Sequence, residues 1–210
     1  PEQPAGADNP VDAFIGRKLK AAGFAPAPQA DFRSLVKRAY YDLTGLPPTP
    51  FQIYQFRLQW DKDSGSAWNE LIDELLASPH YGERWGQHWL DVARYADTGG
   101  YSNDYERSNA WRYRDWVIEA FNRDQPYDRF VQEQIAGDLL PGGTDEERFA
   151  RLTATGFLAM GAKVLAEQDV DKMLIDIVDE QVNVVGRAFL AEPVGCARCH
   201  DHKFDPIPTA

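Results

Sequence analysis

The chain has 210 residues, with 22 Lys and Arg against 33 Asp and Glu and a net charge of −11. An acidic surface of this kind repels nucleic-acid phosphates and anionic lipid head groups, which excludes both as partners and suits a basic redox protein instead. The hydrophobic fraction of 43%, with six Trp, nine Tyr and eleven Phe, supports a sizeable core, and no stretch approaches the ~18 apolar residues of a membrane span.

Nearly every segment reads as helix. Asn9-Pro10 opens the first in cap-then-proline order, with Val11, Phe14, Ile15, Leu19 and Ala22 as its apolar stripe and Gly23 as its stop. Asp31 caps a second, whose stripe is Leu35, Val36, Ala39, Tyr40 and Leu43, and Gly45 ends it. Thr49-Pro50 opens a short third, and residues 64–66 read as a turn. Trp68, Leu71, Ile72, Leu75 and Leu76 give a clean helical period. Ser78-Pro79 then starts a helix through Tyr95, with Trp85, Trp89, Val92 and Ala96 on its buried face. Residues 97–109 form a long polar loop, which inside a compact domain is often functional. Its Asp97, Asn103, Asp104 and Glu106 lack the EF-hand order and read as solvated.

Helices follow over 111–121 and around Phe130, Ile135 and Leu139. Thr144 to Glu147 is a capping box opening the helix of Phe149, Leu152 and Phe157. After a polar connection over 162–169, a long helix runs from about Val170 to Leu190, with Leu174, Ile177, Val178, Val184, Val185 and Ala188 inward. With no strand series and no internal repeat, the expected class is all-α: one irregular multi-helix domain over residues 1–210, ending in a distinctive turn.

That turn is Cys196-Ala197-Arg198-Cys199-His200, which reads C-x-x-C-H. The spacing suits a c-type haem. Two thiols on one short turn can add across the two vinyl groups of one porphyrin, and the next side chain offers an imidazole nitrogen to the iron. Cys196 and Cys199 would be thioether anchors and His200 the proximal ligand, with Arg198 and Lys203 placed to pair with haem propionates. Two other readings stay open. The pair could close as a disulfide, or hold a metal with His200 or His202, although a closed zinc site wants four ligands. Covalent haem attachment takes place outside the bacterial cytoplasm, so this reading expects a periplasmic or extracellular protein. The chain begins with proline and stops ten residues after His200, so a fragment of a longer multidomain protein is expected.

Further residue words carry a resemblance. They are Tyr41 to Thr49, Tyr81 to Trp85, His88 to Asp97, Tyr113 to Val117, Gln134 to Pro141, Ala154 to Phe157, and Gly195 to Pro208. In this order, over nearly the whole chain, they resemble the second of the planctomycete-type cytochrome-like domains, a family long catalogued as of unknown function. The resemblance implies a secreted protein with one covalent haem c. Members often carry a further cytochrome-like domain upstream and a large companion domain downstream.

Little follows His200, so a sixth iron ligand must come from upstream. His88, on the Trp-rich helix, is the favoured candidate. Met160, Met173, His80 and, outermost, Lys163 are the others, and an open sixth position is the remaining option. Filled axial positions suit electron transfer to or from a fused or docked enzyme. An open iron, or a polar cleft built from Arg84, Asp91, Arg94, Tyr95 and Asp97, would instead suit an enzyme acting on a carbohydrate-type substrate. A non-haem structural or binding module is the third expectation.

Overall fold

The computed structural model describes residues 9–101, 103–164 and 166–209. Positions 102 and 165, within the expected loop and the expected polar connection, lie outside them, as do residues 1–8 and 210. Among the described residues the all-α class holds, with nine α-helices and one isolated antiparallel bridge, Thr98 to Glu106.

The helix starts follow the caps read from the sequence. The side chains of Asn9, Asp31 and Ser78 accept from the first-turn N–H groups of α1 (Pro10–Ala21), α2 (Phe32–Thr44) and α5 (Pro79–Val92). Reciprocal capping boxes, Thr49 with Gln52 and Thr144 with Glu147, open α3 (Pro50–Trp60) and α8 (Asp145–Ala154). The turn expected over 64–66 is instead the first turn of α4 (Ser64–Leu76). Asp63 accepts from the N–H groups of Gly65 and Ser66 and so draws them into the helix. The remaining helices are α6 (Ala110–Asn122), α7 (Tyr127–Ala136) and α9 (Val170–Val185).

Two apolar clusters organise these helices. Val36, Ala39, Tyr40, Phe56, Leu71 and Leu75 join α2, α3 and α4. Ala93, Tyr113, Trp116, Val117, Phe130, Phe157 and Val184 join the segments from α5 onward. Between the clusters α2 packs on α5. In the second cluster the Gln134 side-chain carbonyl accepts from the Tyr113 hydroxyl at 2.6 Å and from Trp89 Nε1 at 2.8 Å. Its amide donates to the Phe130 carbonyl at 3.0 Å. The polar atoms of the Gln134 side chain are thereby partnered in this core.

Expectations for three helices need correction. In α1, Val11 and Ile15 are exposed and only Ala13 is buried, so its stripe does not face a core. In α5, the buried positions are Gly82 and Gly86, while Trp85 and Val92 are 37% and 43% exposed. The cause is close approach: a Cβ on Gly82 would strike the Ile118 carbonyl and meet Asn122 at 2.6 Å. The glycine face therefore turns to α6, Trp85 and Val92 turn outward, and Trp89 packs on the second cluster. The helix also stops at Val92 rather than Tyr95, because Arg94 takes a left-handed φ of 58°. In α9, Leu174 and Val178 are exposed, while Val184 is buried as expected. The helix ends at Val185 in a wider π turn, Gly186–Leu190.

Candidate functional site

The C-x-x-C-H segment hangs from the end of α9. After the π turn, Ala191 at φ 58° reverses the chain, and the Glu192 N–H donates to the Gly186 carbonyl at 3.1 Å. Residues Val194–Arg198 then wind into a 3₁₀ turn. Two contacts tie this turn to α9. Asn183 Oδ1 accepts from the Gly195 N–H at 3.1 Å. The Arg198 guanidinium bridges two carboxylates one helical turn apart, Asp176 at 2.9 Å and Asp179 at 3.1 Å. Hydrogen bonds from Lys172 and Arg198 hold the Asp176 carboxyl below its ordinary range, so it stays ionised as an anchor. Arg198, expected to meet a propionate, is thus already neutralised and acts as a brace. Lys203 is exposed, with its ammonium 5.1 Å from the Phe204 ring centroid.

Within the turn, the Cys196 carbonyl accepts from the N–H groups of Cys199 at 3.3 Å and His200 at 3.4 Å. Both thiols are exposed and free. His200 Nδ1 lies 2.8 Å from the Asp201 carbonyl oxygen. A carbonyl oxygen can only accept, so Nδ1 carries the proton and the Nε2 lone pair is left available. This is the tautomer a metal-ligating histidine adopts when a backbone carbonyl orients it. His202 is held the opposite way. Its Nδ1 accepts from the backbone N–H groups of Phe204 at 3.3 Å and Asp205 at 2.9 Å, which puts the proton on Nε2. The Asp205 carboxylate, 3.2 Å from the same nitrogen, becomes its partner only when the ring is protonated. Two exposed thiols on one turn and an exposed imidazole with a free Nε2 fit the donor set of a c-type haem. Among the described residues, no group of three or more His, Cys, Asp or Glu is placed to hold a bare metal ion.

The upstream candidates are scattered. His88 is exposed, its ring 5.5 Å from that of Trp85, in a groove whose lining includes no residue of the motif. His80 pairs with Glu83 at 2.7 Å on the surface. Met160 is buried in the second core. Met173 and Lys163 share a cavity with Arg198. The Lys163 ammonium is pushed below its ordinary range by burial and by the nearby Arg107 guanidinium.

The expected polar cleft is also dispersed. Arg94 pairs with Glu180 at 2.8 Å, and burial lowers its guanidinium. The Tyr95 hydroxyl donates to Asp97 at 2.6 Å. Asp91 is exposed, and Arg84 lies against Gly45. Sequence reasoning missed the groove between α5 and α7. Its signal was present in the pair Gly82 and Gly86, whose spacing marks the face of α5 that packs closely and so sends Trp85 outward.

A family model described as "PSCyt2: Protein of unknown function (DUF1549)" matches residues 10–210. No curated protein and no solved structure matches the chain.

Proposed function

The chain belongs to the PSCyt2 family over residues 10–210, and on that premise we propose that it is an extracytoplasmic c-type haem domain passing electrons to or from a fused or docked enzyme. The observation that carries this reading is the state of His200. Its Nδ1 proton is fixed by the Asp201 carbonyl at 2.8 Å, and its Nε2 is left free beside two unpaired thiols. A covalently attached haem supplies a one-electron iron couple. Cys196 and Cys199 would anchor it, and His200 would offer a nitrogen to its iron. Arg198 keeps the turn on α9 through Asp176 and Asp179. Cys196, Cys199 and His200 are all exposed, so the group would be held at the surface, within reach of a docked protein.

Absorption spectra of protein matured in a host competent for c-type haem attachment test the reading. Wild-type protein is expected to keep a reduced haem band after denaturation. Cys196→Ser with Cys199→Ser is expected to lose covalent attachment, and His200→Ala to change the native band shape. Colourless wild-type protein from that host would overturn the proposal.

A further inference from the structure

We propose that the cavity between the 97–109 loop, the start of α6, α8 and the segment 155–163 binds a small organic carboxylate with an apolar body. Two polar segments are tied together at its edge. The Arg107 guanidinium donates to the carbonyls of Met160 and Gly161, each at 2.6 Å, and the Lys163 N–H donates to the Gly99 carbonyl at 3.2 Å. The space they border holds about 870 Å³, within the roughly 300–1,000 Å³ usual for small-molecule sites. One side of it is apolar. Phe149 and Leu152, one turn apart on α8, line it while 52% and 54% exposed, and Met160 lines it from the second core. Water covers these side chains in the empty cavity, and an apolar ligand body would release it.

Charge selects an anion. Arg107, Arg112 and Lys163 line the cavity against one carboxylate, Glu106, on a chain whose overall charge is −11. Among the described residues, none of the three cations is in an ion pair. Arg107 spends its bonds on two neutral carbonyls. Arg112 Nε donates to Asn109 Oδ1 at 3.3 Å, and its guanidinium lies 5.5 Å from the Phe149 ring centroid, which keeps its charge beside the apolar wall. Lys163 also borders the acidic cavity that holds Arg198, yet the carboxylates there have other partners: Glu167 pairs with Lys172, Asp176 and Asp179 with Arg198, and Glu180 with Arg94. Burial and the neighbouring Arg107 disfavour the Lys163 ammonium, a cost that an anion bound beside both would offset. The first turn of α6 adds to the same field, because Asn109 makes no side-chain cap and the positive end of the helix is left unopposed. A cation would be repelled here, and a neutral sugar would leave the charges uncompensated. The inference does not depend on the cysteine motif, none of whose residues line this cavity.

Calorimetric titration of the full chain at low ionic strength with benzoate, 3-phenylpropanoate and octanoate, each set beside its neutral amide, tests the site. At least one of the acids is expected to bind saturably and about tenfold more tightly than its amide. Acetate, which carries the charge without the apolar body, is expected to bind about tenfold more weakly than that acid. Lys163→Met and Arg112→Gln are each expected to weaken the acid by about tenfold, with circular dichroism unchanged. If Lys163→Met fails to fold, Arg112→Gln, at an exposed position, carries the test. Equal binding of acid and amide, acetate binding as tightly as the larger acids, no saturable binding by any of the three acids, or unaltered affinity in either folded variant would each overturn the proposal.

Discussion

Tyr113 shows how one phenol ties stability to pH. It is 2% exposed, and burial pushes its hydroxyl well above the ordinary value of 10. Burial, followed by the Asp97 hydrogen bond, pushes Tyr95 up to about 12. In the unfolded chain both phenols release their protons near pH 10, while the folded chain keeps them. Above pH 10 the unfolded state therefore binds fewer protons, and stability falls as pH rises. Urea denaturation at stepped alkaline pH is expected to show this fall. Tyr113 alone contributes a slope of up to about 1.4 kcal/mol per pH unit, and Tyr113→Phe is expected to flatten it. Gly82 is a second residue with a measurable consequence. Alanine is ordinarily the better helix former by about 1 kcal/mol. Here its Cβ would meet the Asn122 side chain at 2.6 Å and also strike the Ile118 carbonyl. Gly82→Ala is expected to destabilise by about 2 kcal/mol in the same assay. A gain in stability would show that α5 and α6 do not close on this glycine.

Helix positions were legible in the sequence because caps are local. Asp31, Thr49, Ser78 and Thr144 each satisfy N–H groups two or three residues away, and nothing distant can override that. Faces were less legible, because a helix's inward side depends on what packs against it. In α5 the aromatic stripe suggested a core, yet the two glycines admit the α6 backbone and decide the orientation. In α9 the apolar pattern was read as buried along its length, and the reading holds for Val184, which joins the core, but not for Leu174 and Val178 nearer its start, which are exposed. Arg198 itself was read from its place in the motif as a propionate partner, since sequence spacing could not reveal carboxylates 19 and 22 residues upstream. Its role as a brace has a direct test. Arg198→Ala is expected to speed amide hydrogen exchange over residues 194–200 about tenfold and leave α5 to α7 unaffected, because exposed ion pairs steady a local segment more than a whole fold.

Across the whole molecule, net charge and motif order were the readable features. The acidic balance and the ordered residue words needed no contacts to be seen, whereas the division into two apolar clusters emerged only when α2 was found packed on α5. In the proposed electron-transfer role, the charge of −11 would steer association with a basic redox partner. Stopped-flow electron transfer from haem-loaded protein is expected to slow steeply as ionic strength rises from about 0.01 M to about 0.15 M, where the Debye length shrinks from about 30 Å to about 8 Å. A salt-independent rate would assign the acidic surface to solubility alone.

The open placement of Cys196 and Cys199 sets the order of events in the protein's early life. In the extracytoplasmic setting proposed for it, oxidants convert neighbouring thiols into disulfides, and nothing in the fold shelters this pair. If haem is attached there as proposed, its delivery and air oxidation would compete for the same two sulfur atoms. Whichever arrived first would determine whether the finished molecule is coloured, which would make its maturation a race before it is a question of affinity.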